Sequence, residues 1–148
     1  MNPIGTINEL LDQKGSKVWS VSPQNTVYEA IQLMSEKNVG ALLVTDGGKL
    51  VGILSERDYT RKVALKGKSS KETAVREITS GSVITVNSEN TVEDCMRLMS
   101  EHRIRHLPVV NGNQIVGVIS IGDLVNWIIS AQTSTINHLQ TYISGYPE

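Results

Sequence analysis

Gly52-Ile53-Leu54-Ser55-Glu56-Arg57-Asp58 and Gly117-Val118-Ile119-Ser120-Ile121-Gly122-Asp123 are one stretch written twice. Each ends an apolar strand and opens a helix, and each carries Ser and Asp three residues apart. The shift of 65 positions continues far beyond the motif. It places Val18 on Val83, Val21 on Val86, Asn25-Thr26-Val27 on Asn90-Thr91-Val92, and Leu33-Met34-Ser35-Glu36 on Leu98-Met99-Ser100-Glu101. Leu42, Val44, Gly47, Val51, Gly52, Ser55 and Asp58 also fall on identical residues without a gap. A match of that density marks an internal duplication.

Working outward, each copy reads as strand, helix, strand, strand, helix. Val18 to Val21 is a short strand ended by Ser22-Pro23. Val27, Ala30, Ile31 and Met34 form one apolar stripe at helical spacing, repeated by Val92, Cys95, Met96 and Met99. Val39–Thr45 and Leu50–Leu54 read as a hairpin about Asp46-Gly47-Gly48-Lys49, and the second copy turns at Asn111-Gly112-Asn113. These strands are apolar almost throughout, as expected when both sheet faces are covered. A helix follows each Ser-x-x-Asp, the first from about Tyr59 to Lys66, the second from near Leu124. Ahead of the first copy, residues 5–14 read as an amphipathic helix with Ile7, Leu10 and Leu11 on one face and a Thr6–Glu9 capping box. A related pattern, Val75 and Ile78 with Glu77, precedes the second copy. The fold class is α/β: two pseudo-symmetric β-α-β-β-α repeats packed as one module. The boundaries are 5–67 for repeat 1, 68–74 for a polar linker, 75–130 for repeat 2 and 131–148 for a helical tail. The tail carries Ile136, Leu139, Tyr142 and Ile143 as an apolar stripe, with His138 on its surface.

The chain has 148 residues and a net charge of −1, with acids and bases interspersed. A single repeat would bury too little surface to fold alone, so the two copies are expected to share a core. No basic patch suits a nucleic acid or a membrane surface. The lone Cys95 excludes an internal disulfide and a cysteine-based zinc cluster, and its place on the apolar stripe reads as a small buried hydrophobe. No signal peptide or long apolar run is present, so the expected location is the cytoplasm, or an organelle where a transit peptide has been removed.

Ser-x-x-Asp has a plain structural use as a capping box, contributing about 1 kcal/mol by satisfying free backbone N–H groups. Three features point beyond a cap. Gly52 and Gly117 stand three residues before the serine, where a strand glycine marks close approach. Arg57 adjoins Asp58. Arg103, Arg105 and His106 cluster at a strand start, closed by Pro108. A carboxylate accepts hydrogen bonds from a pair of ribose hydroxyls, arginine and a helix N-terminus hold phosphate, and apolar strand residues can sandwich a base. Together these groups describe a nucleotide. His102 and His106 have i, i+4 spacing, but no acid completes a metal set and none is expected. Trp19 and Trp127 read as packing residues, Trp19 on the strand that could line a base.

The doubled Gly-hydrophobic-hydrophobic-Ser-x-x-Asp ends and Arg105-His106-Leu107-Pro108-Val109 resemble a tandem pair of CBS domains, named after cystathionine β-synthase. The resemblance covers about residues 5 to 130, and Ser55-Glu56-Arg57-Asp58-Tyr59 resembles stand-alone CBS-pair proteins. It implies two repeats about a pseudo-twofold axis, a disc-like homodimer, and adenine nucleotides in clefts between repeats: AMP first, then ATP, ADP, NAD or S-adenosylmethionine. It assigns the ribose to Asp58 and Asp123 with Ser55 and Ser120 nearby. It assigns the base to Val18, Trp19, Val83 and Ile84, and cleft lining and phosphate to Val39–Ala41 and Ile104–Pro108. The copies differ where Arg103, Arg105 and His106 replace Asn38, Gly40 and Ala41, and where Gly122 replaces Arg57, so two inequivalent clefts are expected.

The functional expectation is a regulatory module that senses energy or redox state and signals to a partner protein, because no output domain is present. The alternative is a ligand-free interaction and dimerisation scaffold. Catalysis is not expected: there is no Gly-rich phosphate loop and no arranged Ser–His–acid or Cys–His set.

Overall fold

In the computed structural model the described residues are 5–79 and 82–144, with side chains described as far as Gln132. The element order is α1 (Ile7–Lys14), β1 (Ser20–Val21), α2 (Val27–Lys37), β2 (Ala41–Asp46), β3 (Lys49–Ser55), α3 (Glu56–Tyr59), a π-helical turn (Thr60–Ala64), α4 (Val75–Ile78), α5 (Val92–His102), β4 (His106–Asn111), β5 (Gln114–Ser120) and α6 (Ile121–Ser144). Two compact units result. One comprises Lys17–Thr85 with Val110–Val116; the other comprises Met1–Ser16, Val86–Val109 and Gly117–Glu148.

The first of these units is built on a three-stranded sheet in the order β1-β2-β3. β1 runs parallel to β2 with Ser20 opposite Leu43. β2 and β3 are antiparallel, with a register shift between Val44 and Thr45. The hairpin turns on Gly47 (φ 60°) and Gly48 (φ 82°), a pair of left-handed residues suited to a two-residue turn. α2 begins at a Thr26–Glu29 capping box and ends at Asn38 in the left-handed region. Val27, Ala30 and Met34 are buried with Val21, Leu42, Val44, Leu54, Val63, Val75 and Ile78. Val75 and Ile78 belong to α4, so the helix that precedes repeat 2 in sequence packs with α2 of repeat 1. Val27 N–H donates to Thr73 O and Val75 N–H to Asn25 O, both at 2.8 Å. The linker is thereby partly structural: Thr73 is buried and its Oγ1 donates to Ser69 O at 2.7 Å.

The other unit repeats this arrangement with α1 in place of α4. Ile7 N–H donates to Asn90 O at 2.8 Å and Val92 N–H to Gly5 O at 3.0 Å. α1 has the expected Thr6–Glu9 capping box and buries Ile7, Leu10 and Leu11. α5 has a Thr91–Asp94 capping box and buries Val92, Cys95 and Met99. β4 and β5 form a two-stranded sheet, and the strand expected before α5 reduces to a parallel bridge, Val86 to Val109.

The sequence reading placed one helix over Tyr59–Lys66. Instead a short α3 widens into a π-turn that buries Val63. The helix after Asp123 begins earlier than Leu124, at Ile121, and runs unbroken to Ser144. The stripe at Ile136, Leu139, Tyr142 and Ile143, and His138, lie outside the described side chains.

Candidate functional site

One end of the three-stranded sheet gathers the first set of candidate residues. Leu43 N–H donates to Trp19 O at 3.1 Å, so Val18 and Trp19 lead into the edge strand beside the start of β2. Ala41 stands opposite Ser55, and Glu56 N–H donates to Gly40 O at 3.0 Å. The helix that carries Asp58 therefore starts next to Val39–Ala41. Val18, Trp19, Val39, Ala41, Ser55 and Asp58 are all half-buried, and Arg57 is exposed. Val83 and Ile84 are half-buried, belong to this same unit and lie outside any strand.

Ser55 and Asp58 hold each other. Ser55 Oγ accepts from Asp58 N–H at 3.2 Å, while Asp58 Oδ2 accepts from Ser55 N–H at 2.9 Å and from Ser55 Oγ at 3.0 Å. Asp58 Oδ1 faces Lys62 Nζ at 3.5 Å. Trp19 has Lys37 Nζ 4.4 Å and Lys17 Nζ 5.8 Å from its ring centre, so cations stand over its face.

The other unit has the same frame. Val86 N–H donates to Pro108 O at 3.0 Å and Ile121 N–H to Arg105 O at 2.9 Å. The second bond is the 65-residue counterpart of the one from Glu56 to Gly40. Asp123 Oδ2 accepts from Ser120 N–H at 2.8 Å, and Asp123 N–H donates to Ser120 Oγ at 3.1 Å. Arg105 and His106 are thus brought beside the start of the helix that carries Asp123. Arg105 is exposed, His106 half-buried and Pro108 buried. Arg103 ends α5 at φ 54°. That turn also separates His102, on α5, from His106, on β4, so their i, i+4 spacing is not helical. Among the described residues no cluster of three or more His, Cys, Asp or Glu could hold a metal ion.

Two lysines adjoin the motif acids and were not singled out from sequence. Lys62 lies four residues after Asp58, a spacing that sequence could have shown. Lys14 reaches Asp123 from α1, with Nζ 2.6 Å from Oδ2 and 2.5 Å from Val118 O. That contact is tertiary and leaves no local signal. Chemically, both units offer a fixed carboxylate with acceptor capacity beside a strand start. The surroundings differ: Trp19 and Ala41 in one, Arg105 and His106 in the other. Among the described residues no helix is long and apolar enough to cross a membrane.

The family model of the CBS domain matches residues 15–65 and 75–130. A CBS domain-containing protein of Arabidopsis thaliana, CBSX3, named as mitochondrial, is 39% identical over 150 residues, covering 95% of this chain and 72% of the relative. The structure of a putative signal-transduction protein with CBS domains from Burkholderia ambifaria superposes with a TM-score of 0.81 at 47% identity, covering 84% of this chain and 94% of the other. The CBS domain pair of protein MJ0100, crystallised with 5′-methylthioadenosine and S-adenosyl-L-methionine, superposes with a TM-score of 0.73 at 25% identity, covering 84% and 95%. CBS pairs that stand alone are typically regulatory rather than enzymatic. The two matched repeats, the close relatives and the shared architecture agree: this chain belongs to the CBS-domain family.

Proposed function

We propose that this protein is a regulatory adenine-nucleotide sensor, binding AMP, ADP, ATP or NAD at its Ser-x-x-Asp ends and signalling to a partner protein as a homodimer. The observation that carries this is the pair of capped carboxylates, Asp58 and Asp123, each fixed at a helix start beside the opening residues of a strand. An ionised carboxylate held in this way is a ready acceptor for two ribose hydroxyls. Trp19, Val18, Val39 and Ala41 supply apolar surface for a base near Asp58. Arg103, Arg105 and His106 supply cations for a phosphate near Asp123. The adenosine ligands of MJ0100 support this ligand class. Exposed Val125 and Ile129, one turn apart on α6, support a second copy as partner. The buried Cys95 suits a reducing compartment, cytoplasmic or, as the name of the Arabidopsis relative suggests, organellar.

A ligand acts on such a module only through its differential affinity for two states. Thermal unfolding with AMP, ADP, ATP, NAD, NADH and S-adenosylmethionine tests the reading. Saturation at 100 times Kd stabilises by about 2.7 kcal/mol, a rise of about 5–10 °C at this size. A rise with one adenine nucleotide that Asp58→Ala or Asp123→Ala abolishes upholds it.

A second reading, a ligand-free scaffold, is favoured by one observation: both Ser-x-x-Asp motifs are complete capping boxes that need no ligand. It predicts no shift with any of the six compounds.

A further inference from the structure

Each motif carboxylate has a lysine ammonium beside it, and the two lysines have unrelated origins. Lys62 comes from the turn that follows Asp58 and stands 3.5 Å from Oδ1. Its ammonium also donates to Ile78 O at 3.0 Å. The 65-residue shift carries Lys62 onto Trp127, so the second repeat has no such residue. There Asp123 is met by Lys14, from the last turn of α1, at 2.6 Å. The corresponding helix ahead of repeat 2, α4, ends at Ile78 and lacks that turn.

The two contacts differ in kind. At 3.5 Å, between half-exposed groups on one helical run, the Lys62 pair is a loose surface ion pair. Lys14, like Lys62, has two acceptors, but it holds Asp123 Oδ2 and Val118 O more closely, at 2.6 and 2.5 Å against 3.5 and 3.0 Å. Its helix is anchored by buried Leu10 and by Leu11, which lies against Gly117. The ammonium shares Oδ2 of Asp123 with the capping bond from Ser120, whereas Lys62 faces Oδ1 of Asp58 and leaves Oδ2 to Ser55. Beside it is a hollow of about 200 Å³, lined by Gln13, Asn126, Trp127 and Ser130 among others, into which the lysine could swing.

We propose that Lys14 is the residue that makes the two sites unequal: it occupies Asp123 and admits a ribose there only when displaced. This rests on the nucleotide reading above. Asp58 binds first; the Asp123 site is self-occupied and fills at higher ligand concentration.

The test is calorimetric titration of AMP into the full chain carrying Asp58→Asn, with and without Lys14→Met, which removes the charge and keeps the stem. Wild type and the Lys14→Met single variant run alongside, with circular dichroism to confirm folding. The expected result is AMP affinity about two- to fivefold tighter with Lys14→Met in the Asp58→Asn background, the size of a displaced, partly exposed ion pair. Unchanged affinity would overturn the gating role. Weaker affinity would overturn it too, making Lys14 a contact to the ligand's phosphate. Both results leave the nucleotide reading intact, provided wild type binds. If neither wild type nor Lys14→Met binds AMP, the inference fails, while the nucleotide reading stands or falls with ADP, ATP and NAD in the same titration.

Discussion

Leu11 lies directly against Gly117. A methyl group at position 117 would stand 2.8 Å from Leu11 Cδ2 and 3.2 Å from Cδ1. Leu11 is 7% exposed, so it has little room to retreat. Gly117→Ala is expected to destabilise by about 1–3 kcal/mol through overpacking. In a Leu11→Ala background the same substitution costs less, because the clash is gone and part of the cavity is filled. A double-mutant cycle by urea unfolding measures the coupling; strictly additive costs would contradict the contact.

The left-handed residues Asn38 and Arg103 close α2 and α5 at corresponding positions, both at φ 54°. Asparagine tolerates this conformation, whereas arginine there costs about 1 kcal/mol relative to glycine. Arg103→Gly is therefore expected to raise the melting temperature by a few degrees, and Asn38→Gly by much less. If Arg103 serves the ligand's phosphate, the stabilised variant binds AMP more weakly. Thermal unfolding with and without AMP reads both effects.

Cys95 is fully buried on α5. Burial, followed by the charge of Asp94, pushes its thiol up to about 12. Little thiolate forms at neutral pH, and a thiol reagent lacks access to it. The expected outcome with a disulfide dye is a rate at least about a hundredfold slower in native buffer than in denaturant. A rapid native reaction would contradict the packing of α5.

Asp94 caps α5. The backbone N–H of Thr91, then the Asn90 amide and Arg97, hold its carboxyl at about 2, below the ordinary 3.8. A carboxyl depressed in the folded state stabilises it above the unfolded value, and that stabilisation is lost as pH falls through about 2. The fold should weaken between about pH 4 and pH 2, and Asp94→Asn should flatten that slope while lowering stability at pH 7. Urea midpoints across this range check it. Glu29, lowered by the Thr26 N–H at the matching cap of α2, acts in the same direction.

Much of this architecture is local chemistry and was readable as such. The capping box at Thr6, the two hairpin turns and the stripe of Val27, Ala30 and Met34 depend on residues close in sequence. The shift that maps Ser55 on Ser120 carried the rest. What sequence did not show is tertiary. No spacing links Thr6 to Thr91 or Thr26 to Ala74, yet these bridges place α1 with α5 and α4 with α2. The strand expected at Val18 shrinks to Ser20–Val21 because only these two residues stand in register with β2, opposite Leu43 and Val44. The π-turn at Thr60–Ala64 hides within a pattern that also suits an α-helix. Asp58 and Asp123 were legible as candidates; the lysines that distinguish them were not, since Lys14 lies more than a hundred residues from its partner.

The most direct test of the nucleotide reading is calorimetric titration of AMP into wild type and into the double variant Asp58→Asn/Asp123→Asn. Asparagine keeps an acceptor for each serine N–H, so the caps and the fold survive while both carboxylates are removed. Saturable binding by wild type, weakened more than about tenfold in a folded double variant, is the predicted result, in keeping with two charge-assisted hydrogen bonds. Equal affinities, or no saturable heat from wild type with AMP, ADP, ATP or NAD at millimolar concentration, would contradict it and leave both Ser-x-x-Asp motifs as helix caps alone.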